Sequence, residues 1–309
     1  MHVYDEDERE ATWFRDAPVR GERRRHEPMA RHCSWRAGGA AARWFEPADL
    51  DDLLRFLQAL PADEPMLWIG LGSNLLVRDG GWQGTVISTG GGLARTAWRD
   101  ERVLHAGCGV ACAKVARLAA RAGLGGGEFL AGIPGTIGGA LAMNAGAFGG
   151  EIWPLVVAVE TVDRAGTLRR RAAAEYHASY RQVAGPEHEW FVGAELRFEP
   201  DADQGAAARI RQLLARRNET QPLGLPSCGS TFKNPPGDFA GRLIEAAGMK
   251  GARRGGAYVS PKHANFIIND GTATAADIEG LMDDVRTRVL EMAGIRLEHE
   301  VRIVGEADL

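Results

Sequence analysis

Residues Gly70-Leu71-Gly72-Ser73-Asn74-Leu75-Leu76-Val77 decide the fold class. The run ahead of them, Met66-Leu67-Trp68-Ile69, is short, apolar and bounded by glycine. After Leu75-Leu76-Val77 the chain turns at Asp79-Gly80-Gly81 and re-enters an apolar run at Thr85-Val86-Ile87. The pattern predicts strand, loop, strand. A dinucleotide-binding βαβ unit needs a third glycine where Leu75 stands, and a helix rather than a strand after it to receive a pyrophosphate. No lysine follows a glycine anywhere in the chain, so the G-K-[ST] of a P-loop is absent as well. The loop is either a tight corner or a place where backbone amides, with Ser73 and Asn74, approach a pyrophosphate.

A second glycine-rich stretch runs from Gly132-Ile133-Pro134-Gly135-Thr136-Ile137-Gly138-Gly139 to Asn144-Ala145-Gly146-Ala147-Phe148-Gly149-Gly150. With 40 glycines in 309 residues, clustered rather than scattered, the same two readings apply. A third stretch, Ser227-Cys228-Gly229-Ser230-Thr231-Phe232-Lys233-Asn234-Pro235, sets a hydroxyl, an ammonium and a carboxamide close together between a glycine and a proline. It reads as a site, or as a turn with polar decoration. Only Lys114, Lys233, Lys250 and Lys262 occur beside a large excess of arginine, which argues for a compact point charge at Lys233.

Around these loops, apolar spacing predicts helices over 48–60 and 111–122, the second stopping at Gly123. Strands are expected over 156–162, 167–170 and 191–198, with a hairpin around 163–166. Beyond about Gln204 the texture becomes α/β: helices over 206–217 and near 239–247, a strand over 263–269, and a long helix capped by Thr274 with Asp277 three residues on. A last strand over 295–304 alternates, so that Glu298, Glu300 and Arg302 share one face.

A length of 309 residues fits two or three domains, and 45% hydrophobic with 25% charged residues describes an ordinary globular chain. The net charge of -4 gives no basic field for nucleic acid. Cys33, Cys108, Cys112 and Cys228 have neither paired C-x-x-C spacing nor His/Cys partners downstream, which argues against a metal site or a disulfide framework. No apolar run approaches the ~20 residues of a membrane span, and the N-terminus is acidic, so a cytoplasmic location is expected. Residues 1–27, with Arg23-Arg24-Arg25, carry both charges without apolar periodicity and read as a flexible or loosely docked arm.

Six segments together resemble the UDP-N-acetylenolpyruvoylglucosamine reductase family of peptidoglycan precursor synthesis, in the family's order and across about 28–306. They are His32-Cys33-Ser34-Trp35-Arg36-Ala37-Gly38-Gly39-Ala40, the stretch Gly70 to Val77, Gly132 to Gly139, Met143 to Glu151, Gly229 to Pro235, and Leu297-Glu298-His299-Glu300-Val301-Arg302. The resemblance implies an α+β fold: a two-subdomain FAD-binding module of the vanillyl-alcohol-oxidase (PCMH) type, with a C-terminal α/β substrate domain. The implied boundaries are 28–91 for the first subdomain, joined by the terminal strand 295–309, then 92–205 for the second and 206–294 for the substrate domain. The short interval from Tyr180-Arg181 to Gly193-Ala194-Glu195-Leu196 resembles the family's compact subtype.

By the same resemblance FAD is bound non-covalently, through Gly70, Gly72, Ser73, Asn74, Gly132, Ile133, Pro134, Gly135, Thr136, Asn144 and Gly146. NADPH reduces the flavin and leaves, and the enolpyruvyl UDP-sugar takes its place; no protein partner is implied. Hydride from flavin N5 then reaches C3, and the charge left on the carboxylate calls for a cation. Arg181 and Glu300 match the family's catalytic arginine and glutamate, and Ser230 matches the donor of the proton to C2. Tyr180, Lys233, Asn234 and His263 are the implied substrate contacts, Lys233 or a water also sharing the proton load of the weakly acidic Ser230. The family commonly continues Tyr-Arg with a further residue and a serine, whereas this chain has Gln182-Val183. Two rivals stay open: a flavin oxidoreductase of the same fold acting on another alcohol or sugar, and a non-catalytic nucleotide-sugar binder.

Overall fold

The structure is a computed structural model that describes residues 12–307. Its contacts divide the chain into two units. The first comprises Met1–His26, Arg43–Gly70 and Gly84–Leu213, and the second Glu27–Ala42, Leu71–Gln83 and Leu214–Leu309.

The first unit is built on a five-stranded antiparallel sheet in the order Leu168–Ala172, Val156–Asp163, Glu189–Arg197, Val103–Gly107, Thr96–Trp98. A second sheet, lying mostly in this unit, runs Glu22–Pro28, Ala40–Glu46, Trp82–Ser88, Met66–Ile69. Its last two strands are parallel, with Met66 opposite Thr85 and Ile69 opposite Ser88. The helix expected over 48–60 spans Leu50–Ala59. Asp49 caps it by accepting the Asp52 N–H at 2.9 Å, and Leu53, Phe56 and Leu57 are buried. Phe45 stacks on Phe56 with centroids 4.0 Å apart, at the centre of a core that also takes Phe14, Ile87, Val162 and Val192.

That core corrects the reading of the N-terminal arm. Residues 1–11 lie outside the described residues, but 12–16 are helical, Phe14 is buried, and Glu22–Pro28 is a paired strand. Asp52, wholly buried, accepts the backbone N–H groups of Arg20 and Gly21 at 2.7 Å, and Arg23 donates to the carbonyls of Phe14, Arg15 and Ala17. The segment is anchored through two aromatic side chains, Trp13 and Phe14, through the Arg23 guanidinium and through main-chain amides, and none of these leaves a periodic trace in sequence.

In the second unit Leu75–Val77 pairs in parallel with Arg302–Val304. A three-stranded sheet of Arg253–Arg254, Ala257–Val259 and Ile267–Asn269 meets the helices Ala240–Ala246 and Ala275–Ala293 over a core containing Trp35, Phe232, Ile244, Ile278 and Met282. Thr274 and Asp277 form the capping box that the sequence announces. The strand expected over 263–269 begins only at Ile267, and the terminal strand only at Arg302. Ahead of it the chain is extended against the Ser230–Lys233 run: Lys233 N–H donates to Glu298 O and Glu300 N–H to Thr231 O, both at 2.9 Å. The alternation survives, with Leu297 and Val301 buried and Glu298 and Arg302 exposed. A helix absent from the sequence reading, Ile137–Ala142, begins inside the second glycine stretch, where Gly138 and Gly139 lower helix propensity. Among the described residues no helix is long and apolar enough to cross a membrane.

Candidate active site

In the first unit the two glycine loops meet. A Cβ on Gly70 would stand 2.3 Å from Thr136 Oγ1, and one on Gly132 would stand 2.4 Å from the Phe148 ring, so neither position admits a side chain without movement. Thr136 is the N-cap residue of Ile137–Ala142 and is 3% exposed, yet its hydroxyl has no hydrogen-bond partner. The amides of Ile137 and Gly138 are taken by Val110 O and Cys108 O at 2.8 and 2.9 Å, whereas those of Gly135 and Thr136 bond to no other described residue. Ile133 beside them is buried and Pro134 is exposed. An unpartnered hydroxyl and unpartnered amides over a glycine floor are what the oxygens of a pyrophosphate accept from, so these residues fit a flavin nucleotide.

Asn144 is used differently. It is 1% exposed with φ of +45°; its Nδ2 donates to Glu151 Oε2 at 2.8 Å and to Ser179 O at 3.1 Å, while Oδ1 accepts from the Trp153 amide at 3.3 Å. Its carboxamide therefore braces the hairpin His177–Ser179/Gln182–Ala184, whose two-residue tip is Tyr180-Arg181. Arg181 has φ of +55°, a left-handed conformation that costs a non-glycine residue on the order of 1 kcal/mol and that clusters at functional positions. Its guanidinium lies 5.0 Å from the Tyr180 ring centroid and donates to Asn144 O and Gly146 O at 3.4 and 3.3 Å. Val183, which stands where the family pattern has a serine, is half-buried and pairs with Ala178 across the hairpin.

In the second unit Gly72 has φ of +58°, and a Cβ there would fall 1.9 Å from His32 O; this glycine is required by the approach of its own chain to residues 32–34. Ser73 is half-buried. Asn74 Nδ2 donates to Glu300 O at 3.0 Å and Asn74 O accepts from the Arg302 amide at 3.1 Å, so this residue brackets the segment carrying Glu300.

Ser230, Asn234 and His263 line one cavity of about 460 Å³, together with Phe239, Gly241, Arg242, Glu245, Lys262, Ala264 and Asn265. Asn234 Oδ1 caps the Ala240–Ala246 helix through the Ala240 amide at 3.1 Å. His263 is half-buried; its Nδ1 accepts the Asn265 N–H at 3.3 Å, which leaves Nε2–H as a donor. Burial, and secondarily the Lys250 ammonium, hold its pKa below the ordinary histidine value. Lys233 is not part of this lining: its ammonium lies 3.4 Å from Glu298 Oε2.

Two residues of this wall escape a reading by sequence. Buried Asn265 clamps the serine-bearing run, accepting from Phe232 N at 3.0 Å, donating to Phe232 O at 2.8 Å, and taking the Thr231 amide on its own carbonyl at 2.9 Å. Its signal is a carboxamide two residues after His263, just ahead of the strand Ile267–Asn269. The other is Phe239, which sequence places only as the start of a helix.

Family models match residues 221–304, as the C-terminal domain of UDP-N-acetylenolpyruvoylglucosamine reductase, and residues 41–171, as an FAD binding domain. Over 287 residues the chain is 61% identical to the UDP-N-acetylenolpyruvoylglucosamine reductase of Alkalilimnicola ehrlichii, covering 93% of this chain and 96% of that one. It is 58% identical over 291 residues to the enzyme of the same name from Methylococcus capsulatus, covering 94% and 96%. The crystal structure of the Thermus caldophilus UDP-N-acetylenolpyruvylglucosamine reductase superposes with a TM-score of 0.78 at 33% identity, covering 92% of this chain and 99% of that one. The domains are the expected ones, an FAD-binding module followed by the C-terminal domain of the reductase family.

Proposed function

The chain belongs to the UDP-N-acetylenolpyruvoylglucosamine reductase family of FAD-dependent oxidoreductases, and from that premise we propose that it reduces the enolpyruvyl group of UDP-N-acetylenolpyruvoylglucosamine to the lactyl ether of UDP-N-acetylmuramate, a step of peptidoglycan synthesis, with NADPH as electron donor. The observation that carries this reading is the cavity shared by Ser230, Asn234 and His263, in a unit where Glu300 is tied by its own amide to the carbonyl next to Ser230.

When bound, FAD would supply hydride-transfer chemistry for the enolpyruvyl group. The Thr136 hydroxyl and the Gly135 and Thr136 amides would hold its pyrophosphate, on the floor formed by Gly70 and Gly132. The chain's own residues do the rest. Arg181, fixed at a hairpin tip, presents a planar fork to the substrate carboxylate as negative charge grows there. Ser230 delivers a proton to C2, and Glu300 sets the electrostatics of that transfer. Asn234 and the Nε2–H of His263 hold polar groups of the nucleotide sugar, with Tyr180 and Lys233 as further contacts.

Absorbance of the flavin under anaerobic conditions tests the sequence of events. NADPH should bleach it, and the enolpyruvyl substrate should restore it. Ser230→Ala should leave bleaching intact and slow restoration by ~10²-fold, the usual scale for a general acid. Equal losses in both half-reactions would make Ser230 a structural residue.

A further inference from the structure

Phe239 is 67% exposed, more than any other large apolar side chain among the described residues, and it lines the cavity that holds Ser230 and His263. Leaving a phenyl ring in water forfeits the stabilisation that burying it would bring. The chain nevertheless fixes this ring in place. Pro235-Pro236-Gly237 turns tightly, with Gly237 at φ of +76° and the Asp238 amide bonded to Pro235 O at 3.2 Å. The Asp238 carboxylate accepts the Phe239 amide at 2.7 Å and is itself gripped by Arg242, whose Nε donates to it at 2.7 Å. On the other side Phe239 O accepts the Leu243 amide at 3.1 Å, the first backbone bond of the helix. A flexible loop has no use for three such restraints around one exposed ring.

The charged groups beside the ring are already engaged, Arg242 with Asp238 and Lys262 with Asn218 O at 2.6 Å. What this part of the wall offers a ligand is therefore a flat apolar face. A nucleotide sugar has one flat apolar group, its base, since the sugar carries hydroxyls and the diphosphate carries charge. We propose that Phe239 is a substrate-recognition residue, a preset platform on which the nucleobase of the nucleotide-sugar substrate stacks. This deepens the proposed function and rests on it for the identity of the substrate.

The test uses the holoenzyme with Phe239→Ala, Phe239→Leu and Phe239→Tyr, and three probes: UDP, inorganic pyrophosphate and the enolpyruvyl substrate. Loss of one aromatic–base stack should raise the Kd of UDP and the KM of the substrate about tenfold in the Ala and Leu variants. The Tyr variant should bind like the parent, and pyrophosphate should bind all four proteins alike. A Leu variant that binds UDP as tightly as the parent overturns stacking, because it keeps apolar bulk and lacks the π face. So does an equal weakening of pyrophosphate, which would mean that the substitution acts through the Asp238 turn. The outcomes separate the two readings. A Phe239-dependent UDP affinity in an enzyme whose reduced flavin ignores the enolpyruvyl substrate would sink the proposed reaction and leave the platform standing. Normal turnover with Phe239-independent UDP binding would do the reverse.

Discussion

Gly70→Ala should cost the protein its flavin. The new Cβ would stand 2.3 Å from Thr136 Oγ1, 3.2 Å from Thr136 Cγ2 and 3.3 Å from Thr136 Cβ, so either the loop or the N-cap residue must shift by about 1 Å to reach ordinary contact. Overpacking of this kind costs about 1–3 kcal/mol of stability. The same shift moves the unpartnered Thr136 hydroxyl. A hydrogen bond to a charged group is worth about 1.5–3 kcal/mol, so losing that one from a phosphate oxygen should weaken FAD about 10- to 150-fold. Recovery of flavin fluorescence on dilution reads the affinity, and the thermal midpoint of the apoprotein reads the clash. Adding Thr136→Ala removes the offending oxygen, so the double variant should be more stable than the two single effects sum to, while FAD remains weakly held. Wild-type FAD affinity in Gly70→Ala, or strict additivity of the two midpoint shifts, would refute the reasoning.

Glu300→Gln should keep FAD and fold yet slow flavin reoxidation by substrate ~10²-fold, about 2.7 kcal/mol of barrier, as read by stopped-flow absorbance. Glu298→Gln, which loosens only the exposed contact with Lys233, should cost well under tenfold, the scale of a surface ion pair; if it is the more damaging of the two, the catalytic role belongs to Glu298. Burial depresses the pKa of His263, so its unfolded form binds the extra proton. Its contribution to stability is therefore present above about pH 6.5 and lost as pH falls through the lower folded value. Thermal midpoints taken from pH 7.5 down to pH 5 should fall less steeply in His263→Gln; an unchanged slope would remove His263 from the acid sensitivity.

The sequence by itself excluded a Rossmann unit and a P-loop, because those signatures are local: Leu75 stands where a third glycine belongs, and no lysine follows a glycine. Helix caps were equally legible, Thr274 with Asp277 above all, since a capping box is closed within four residues. The terminal alternation also survived, with Leu297 and Val301 inside although regular strand begins only at Arg302. What residues touch across long separations was decided only in three dimensions. Asn74 reads as part of a cofactor loop, and it brackets Glu300 226 positions away. Asn144 reads as a loop carboxamide, and it is saturated by Glu151, Ser179 and Trp153. Glu298 and Glu300 are equivalent by alternation, yet one meets Lys233 and the other is tied by its amide to Thr231. Phe239 passes for a helix start until a cavity opens beside its exposed ring. Sequence spacing sets which face of an element a side chain occupies; which partner waits there depends on chain segments brought together by burial of the core, and no local pattern encodes that.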